Sequence, residues 1–167
     1  YGAIWGGVSI LTTLVGYITD TDPSLPTTGA IKWVYMLVGF AVAIWAVMAA
    51  IRIDRDEQLG GFIGLGRCVG IGTLTGLVAG VVGAVFMMLY LNVINTGFEE
   101  QMRDAMVAQY EAQGMSEEQI EMAISMAGAF ISPTFMAISQ IFGGAVVGCI
   151  IGLIAGLFMK RESFPAR

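Results

Sequence analysis

Four stretches of this chain, at residues 3–19, 31–51, 68–94 and 135–159, carry between them a single charged side chain, Lys32. Crossing a hydrocarbon core takes about 20 mainly apolar residues in a helix. The last three stretches reach that length and the first comes close to it. A lone strand in lipid would leave its backbone N–H and C=O groups unpaired, and no series of short alternating segments is present to close a barrel. The fold expected is therefore all-α, a polytopic membrane protein. It is read as one membrane domain over 1–167, a four-transmembrane-helix bundle with a short periplasmic helical hairpin at about 97–131 between spans three and four.

Composition agrees. Apolar residues make up 56% and charged residues 13%, where a soluble domain carries roughly a quarter charged. The chain has no His, which removes Ser/His and Cys/His nucleophile pairs, His-ligated haem and His-containing zinc sites together. Cys68 and Cys149 lie at no metal-ligand spacing and at different expected depths in the bilayer, so no disulfide is expected. A net charge of −5 argues against nucleic acid. No catalytic residue, cofactor or metal is assigned, and the expectation is a protein that is not an enzyme. The chain opens on Tyr1 and turns apolar at once, so a few preceding residues are expected. Residues 1–19 lack the basic leader and small-residue cleavage site of a signal peptide.

Orientation follows from the cations. Of eight, Arg52, Arg55 and Arg67 flank the second connection, while Lys160, Arg161 and Arg167 follow the last span. The first connection has none, and the third has Arg103 among seven carboxylates. The positive-inside rule places the second connection and both termini in the cytoplasm. Lys32 can snorkel to headgroups at the outer end of span two. Tyr17, Trp33, Tyr35 and Tyr90 read as an aromatic belt there, whereas Trp45, mid-span, is expected to pack on a neighbour.

The third connection reads as two helices. Phe98, Met102, Met106 and Tyr110 recur every fourth residue, an apolar stripe on the first of them. Gly114 supplies a stop, and Ser116-Glu-Glu-Gln119 matches a capping box with acidic residues at the positive end of the helix dipole. Ser132-Pro133 has the form of an N-cap followed by Pro at the first helical position, where a new helix re-enters the membrane. The stripe has two readings: a docking surface for a partner, favoured by adaptable Met side chains, or a face resting on the span ends and the lipid interface. The carboxylates lack the spacing and Gly of a calcium loop.

Gly144, Gly148, Gly152 and Gly156 form an unbroken every-fourth-residue series in span four, and Gly72, Gly76 and Gly80 do so in span three. Such GxxxG stripes let backbones approach closely, and van der Waals contact is a main source of helix association in lipid. Spans three and four are expected to touch along them, or the stripe serves a homo-oligomer or a partner subunit. Asn92, Asn95, Ser139 and Gln140 fall toward the outer ends of the same spans and could form one polar cluster. An ion-driven transporter would place charge inside a span, and none is there. Arg55 and Arg67, beside the Gly60–Gly66 turn, are candidates for lipid headgroup contact; without a Walker lysine or a preceding strand, a nucleotide site is disfavoured.

The order of these features is familiar: a second span ending in Arg55-Asp56-Glu57 with Gly60-Gly61-Phe62 after it, a Gly-rich third span, the Gly114-Met-Ser-Glu-Glu-Gln-Ile-Glu121 helix start, Ser132-Pro133, and a Gly-rich last span with a basic end. Over nearly its whole length the chain resembles the Bacteroidota membrane family called domain of unknown function 4199. The resemblance implies a four-span inner-membrane protein, whose relatives are often encoded beside polyprenyl-phosphate glycosyltransferases, and brings no catalytic residues. The function expected is a non-enzymatic accessory or scaffold subunit of a membrane complex, in contact with lipid and with another membrane protein or copies of itself. The competing expectation is a small passive transporter or lipid-handling protein using Asn92 and Gln140.

Overall fold

The computed structural model describes residues 1–19, 30–58 and 60–159. Six α-helices follow in order: α1 (Gly2–Ile18), α2 (Ala30–Ile53), α3 (Leu65–Leu89), α4 (Phe98–Ala112), α5 (Glu117–Ile131) and α6 (Pro133–Met159). The first connection, the basic C-terminal residues and the side chain of Lys32 lie outside what is described, and with them the expectations placed there. No strand element is present among the described residues.

Three helical segments have the length and apolarity to cross a membrane: Trp33–Gln58, Leu65–Ile94 and Pro133–Met159. The chain is thus an all-helical protein of membrane type. α1 is apolar but has 17 residues, about 26 Å at 1.5 Å per residue against a core of about 30 Å.

Local chemistry sets the boundaries. At the end of α2 the chain widens into a π-helical turn, Asp54–Gln58. There the Gly61 amide donates to the Arg55 carbonyl at 2.8 Å, and Gly60 and Gly61 take φ of 59° and 93°, a backbone region that side chains rarely enter. α3 ends in a second π turn, Tyr90–Ile94, closed by the Asn95 amide on the Tyr90 carbonyl at 2.7 Å. Gly114, at φ 76°, separates α4 from α5. The capping box forms in both directions: the Gln119 amide donates to Ser116 Oγ at 3.4 Å, and the Ser116 amide to Gln119 Oε1 at 3.0 Å. Ser132 Oγ accepts from the Phe135 amide at 3.4 Å, and α6 begins on Pro133.

Packing centres on α3, which touches α1, α2 and α6. Its closest partner is α6, and the reason is glycine. A Cβ on Gly72 would collide with the Gly148 carbonyl oxygen, one on Gly76 with that of Gly144, and one on Gly80 would lie 2.5 Å from that of Gln140. The reverse also holds, since Gly152 would meet the Cys68 oxygen at 2.7 Å and Gly156 would meet Leu65 and Cys68 side chains. Without side chains between them the two backbones touch over four turns, which maximises dispersion contact. On another side of α3, Gly2 and Gly6 do the same for α1, facing the Thr75 oxygen at 2.5 Å and Val82 Cβ at 2.8 Å.

Two buried clusters complete the interior. Ala43, Val47 and Ile51 of α2 meet Ile63, Cys68, Ile151 and Ala155 at one end. Met87, Tyr90, Leu91 and Phe98 gather at the other, with Met102 and Met136 packed on them. Trp45 meets the Tyr1 ring edge-on at 5.7 Å, the neighbour expected for a mid-span Trp.

Candidate functional site

At the junction of α3 and α4 the sequence grouped residues that the fold sorts differently. Phe98, at the head of the Met stripe, is 1% exposed, and Met102 packs against the same cluster while Met106 and Tyr110 are half-buried. The start of the stripe is thus turned inward onto the end of α3, which agrees with the reading in which it rests on the span ends. Phe98 and Met102 find cover on Met87, Tyr90 and Leu91 inside the chain.

Tyr90 is likewise no belt residue. It is fully buried, edge-on to Tyr17 at 5.8 Å and stacked on Phe86 at 5.7 Å. Its hydroxyl accepts from Asn95 Nδ2 at 3.2 Å, and Asn95 Oδ1 in turn accepts from Gln101 Nε2 at 3.3 Å. Tyr17 Oη donates to the Ile94 carbonyl at 3.3 Å, an oxygen in the π turn. This network ties α1, α3 and α4 together and keeps a buried amide satisfied.

The four amides and hydroxyls proposed as one polar cluster are therefore divided. Asn95 belongs to the buried network, and Asn92 donates back to the Met88 carbonyl of its own helix at 2.7 Å. Ser139 and Gln140 are exposed on α6. For the two asparagines the turn explains the division, because Asn92 lies within the π turn Tyr90–Ile94 and Asn95 caps its end, where the helical register is lost.

Gln140 looks into a different place. Beside the glycine contact, α1, α3 and α6 leave a partly open cleft of about 220 Å3, lined by Trp5, Ser9, Thr13, Gly83, Gln140 and Gly143 with neighbouring small and apolar residues. The carboxamide lies over Gly83, whose added Cβ would stand 3.6 Å from Gln140 Oε1. Ser9 and Thr13 donate to the Trp5 and Ser9 carbonyls, each at 3.1 Å. Among the described residues the Gln140 carboxamide has no hydrogen-bond partner of its own.

The two arginines assigned to lipid headgroups are already engaged. Arg67 grips Asp54 with two prongs, Nε to Oδ2 at 2.6 Å and Nη2 to Oδ1 at 2.9 Å. Arg55 does the same to Asp56 at 2.6 and 3.1 Å. The nearest anion to each forked guanidinium is a carboxylate of the turn, and bidentate geometry favours it. Arg67 thus fastens the start of α3 to the end of α2.

One exposed feature was not read from the sequence. Met122, Met126 and Phe130 of α5 are 68%, 71% and 61% exposed, a stripe at helical spacing. Phe130 abuts Phe135 of α6 edge-on at 5.0 Å. The every-fourth-residue signal was present, but so was that of α4, and only packing decides which stripe is covered. Cys68 is buried and Cys149 half-buried, both free thiols. Among the described residues, no three His, Cys, Asp or Glu side chains converge as a metal site would require.

A family model described as Protein of unknown function (DUF4199) matches residues 1–161. No curated protein and no solved structure matches the chain.

Proposed function

We propose that this chain, which belongs to the DUF4199 family, is a non-enzymatic accessory subunit that docks another integral membrane protein through α5. The proposed setting is an inner membrane, with α1 as a short fourth span welded to α3, α4 and α5 as a periplasmic hairpin, and both termini cytoplasmic. The cation distribution of the sequence supports that orientation, and the contact of Gly2 and Gly6 with α3 supports the placing of α1.

The observation that carries the docking reading is the α5 stripe. Met122, Met126 and Phe130 project from the chain, whereas on α4 Phe98 is buried and Met102, Met106 and Tyr110 are half-buried. Met side chains adjust to irregular partners at little strain. Because Phe130 leads directly to Phe135 at the start of α6, the surface adjoins a spanning helix, which suits a partner that is itself embedded. The glycine stripes are used within the chain, so the partner is sought at α5 and not along α3 or α6.

The test is isolation of the intact protein from its native membrane with a mild detergent. A second membrane protein is expected at fixed stoichiometry, and Met122→Gln combined with Met126→Gln should release it while helicity and membrane insertion stay unchanged. Retention of the same partner by that double variant, or a protein that stays alone in either form, defeats the reading.

A further inference from the structure

We infer that the cleft between α1, α3 and α6 holds one acyl chain of a diacyl phospholipid, with the Gln140 carboxamide donating to that lipid's ester carbonyl. This is independent of the docking role of α5. Three observations lead to it.

The first is depth. α6 has 27 residues, about 40 Å at 1.5 Å per residue, and when centred upright on a core of about 30 Å it overhangs by about 5 Å at each end. Gln140 follows Pro133 by seven residues, about 10 Å along the helix, which puts it just inside the hydrocarbon boundary. Lipid esters sit at that boundary, and an extended glutamine side chain reaches them.

The second is an unmet donor. A carboxamide carries two N–H donors and one acceptor. In hydrocarbon, a group left unpaired costs several kcal/mol by transfer scales, and Gln140 has no partner among the described residues. Ser9 and Thr13 across the cleft use their hydrogens on their own helix. Gln140 calls for an acceptor beyond the described residues, and at this depth in a bilayer the abundant one is an ester carbonyl.

The third is shape. The cleft measures about 220 Å3, below the roughly 300–1,000 Å3 of pockets for drug-sized ligands. It suits part of one flexible chain and excludes a headgroup. Gly83 and Gly143 leave it smooth: a Cβ on Gly143 would meet nothing within 4 Å, so the space beside it is open to a slender ligand. Trp5 closes one wall with an apolar ring.

The full chain, reconstituted in nanodiscs of dioleoyl phosphatidylcholine, would be released in a mass spectrometer under native conditions. One phospholipid per chain is expected to remain bound. Gln140→Leu should lower retention about fivefold, the effect of losing one intramembrane hydrogen bond. Gly143→Leu should lower it further by filling the space, and Gly70→Leu, whose added side chain also meets open surroundings but lies outside the cleft, should change nothing. A dialkyl ether analogue, which lacks the carbonyl, should be held about fivefold less tightly by the native sequence and equally by Gln140→Leu. That comparison keeps the inference testable should Gly143→Leu fold poorly. Equal retention by all variants, equal retention of ester and ether lipids, a bound free fatty acid in place of phospholipid, or a dimer that separates on Gln140→Leu would each overturn it.

Discussion

Gly148 and Gly70 are both glycines on spanning helices, yet a methyl group means opposite things at the two. At Gly148 it would strike the Gly72 carbonyl oxygen and lie 3.0 Å from the carbonyl carbon, whereas at Gly70 it would meet nothing within 4 Å. Gly148→Leu should therefore cost at least about 3 kcal/mol, the upper end for overpacked cores, because rigid backbone and not a rotatable side chain stands in the way. Gly70→Leu should leave stability nearly unchanged. Unfolding in mixed detergent micelles, followed by circular dichroism, measures both. Tyr90→Phe makes a second contrast. It removes the acceptor of the Asn95 amide, which is 4% exposed, and a buried donor left unpaired costs about 1–3 kcal/mol. Hydrogen exchange at the Asn95 backbone amide, bonded to the Tyr90 carbonyl, should quicken with it.

Among the elements, the α2–α3 turn shows how a polar clasp acts at a membrane surface. Arg67 and Asp54 close it with two short bonds, but the Arg67 side chain is 50% exposed, so solvent screens the pair. Arg67→Ala should change global stability by less than about 1 kcal/mol. It should nevertheless raise hydrogen exchange at Gly61, whose amide is held on Arg55 within that turn, because local opening needs only the clasp to fail. Equal exchange in both proteins would show that the positive-φ glycines hold the turn unaided. The turns and caps were the most legible elements. Ser116, Gln119, Gly114, Ser132 and Pro133 act through neighbours within a few residues, so their chemistry survives any tertiary arrangement. The π turns were not legible, since whether the backbone shifts to i→i+5 bonding depends on what the side chains of the segment pack against. Tyr90 looked like an interfacial aromatic until α1 and α4 closed over it.

On the scale of the whole molecule, orientation is the open geometric property, and Cys68 cannot report it. It is fully buried, so a membrane-impermeant thiol reagent should miss it from either side. Cysteines introduced at Glu57 and Glu118, both exposed, can be read separately in intact cells on a Cys68→Ala, Cys149→Ala background. Labelling at position 118 from outside, with position 57 protected until the membrane is opened, is expected. The reverse pattern would invert the proposed topology.

Length and apolarity along the chain were enough to establish helices of membrane type, and the spacing of four between glycines was enough to point α3 at α6. These follow from backbone hydrogen bonding in lipid and from helical periodicity, which operate within a single segment. Which stripe became core and which stayed open was settled by the tertiary structure alone. The α4 Met face is sheltered and the α5 Met face is bare, though both repeat alike, because burial depends on where one helix end meets another. The same holds for Gln140, whose place beside Trp5 and Gly83 comes from the crossing of three helices that lie far apart in sequence.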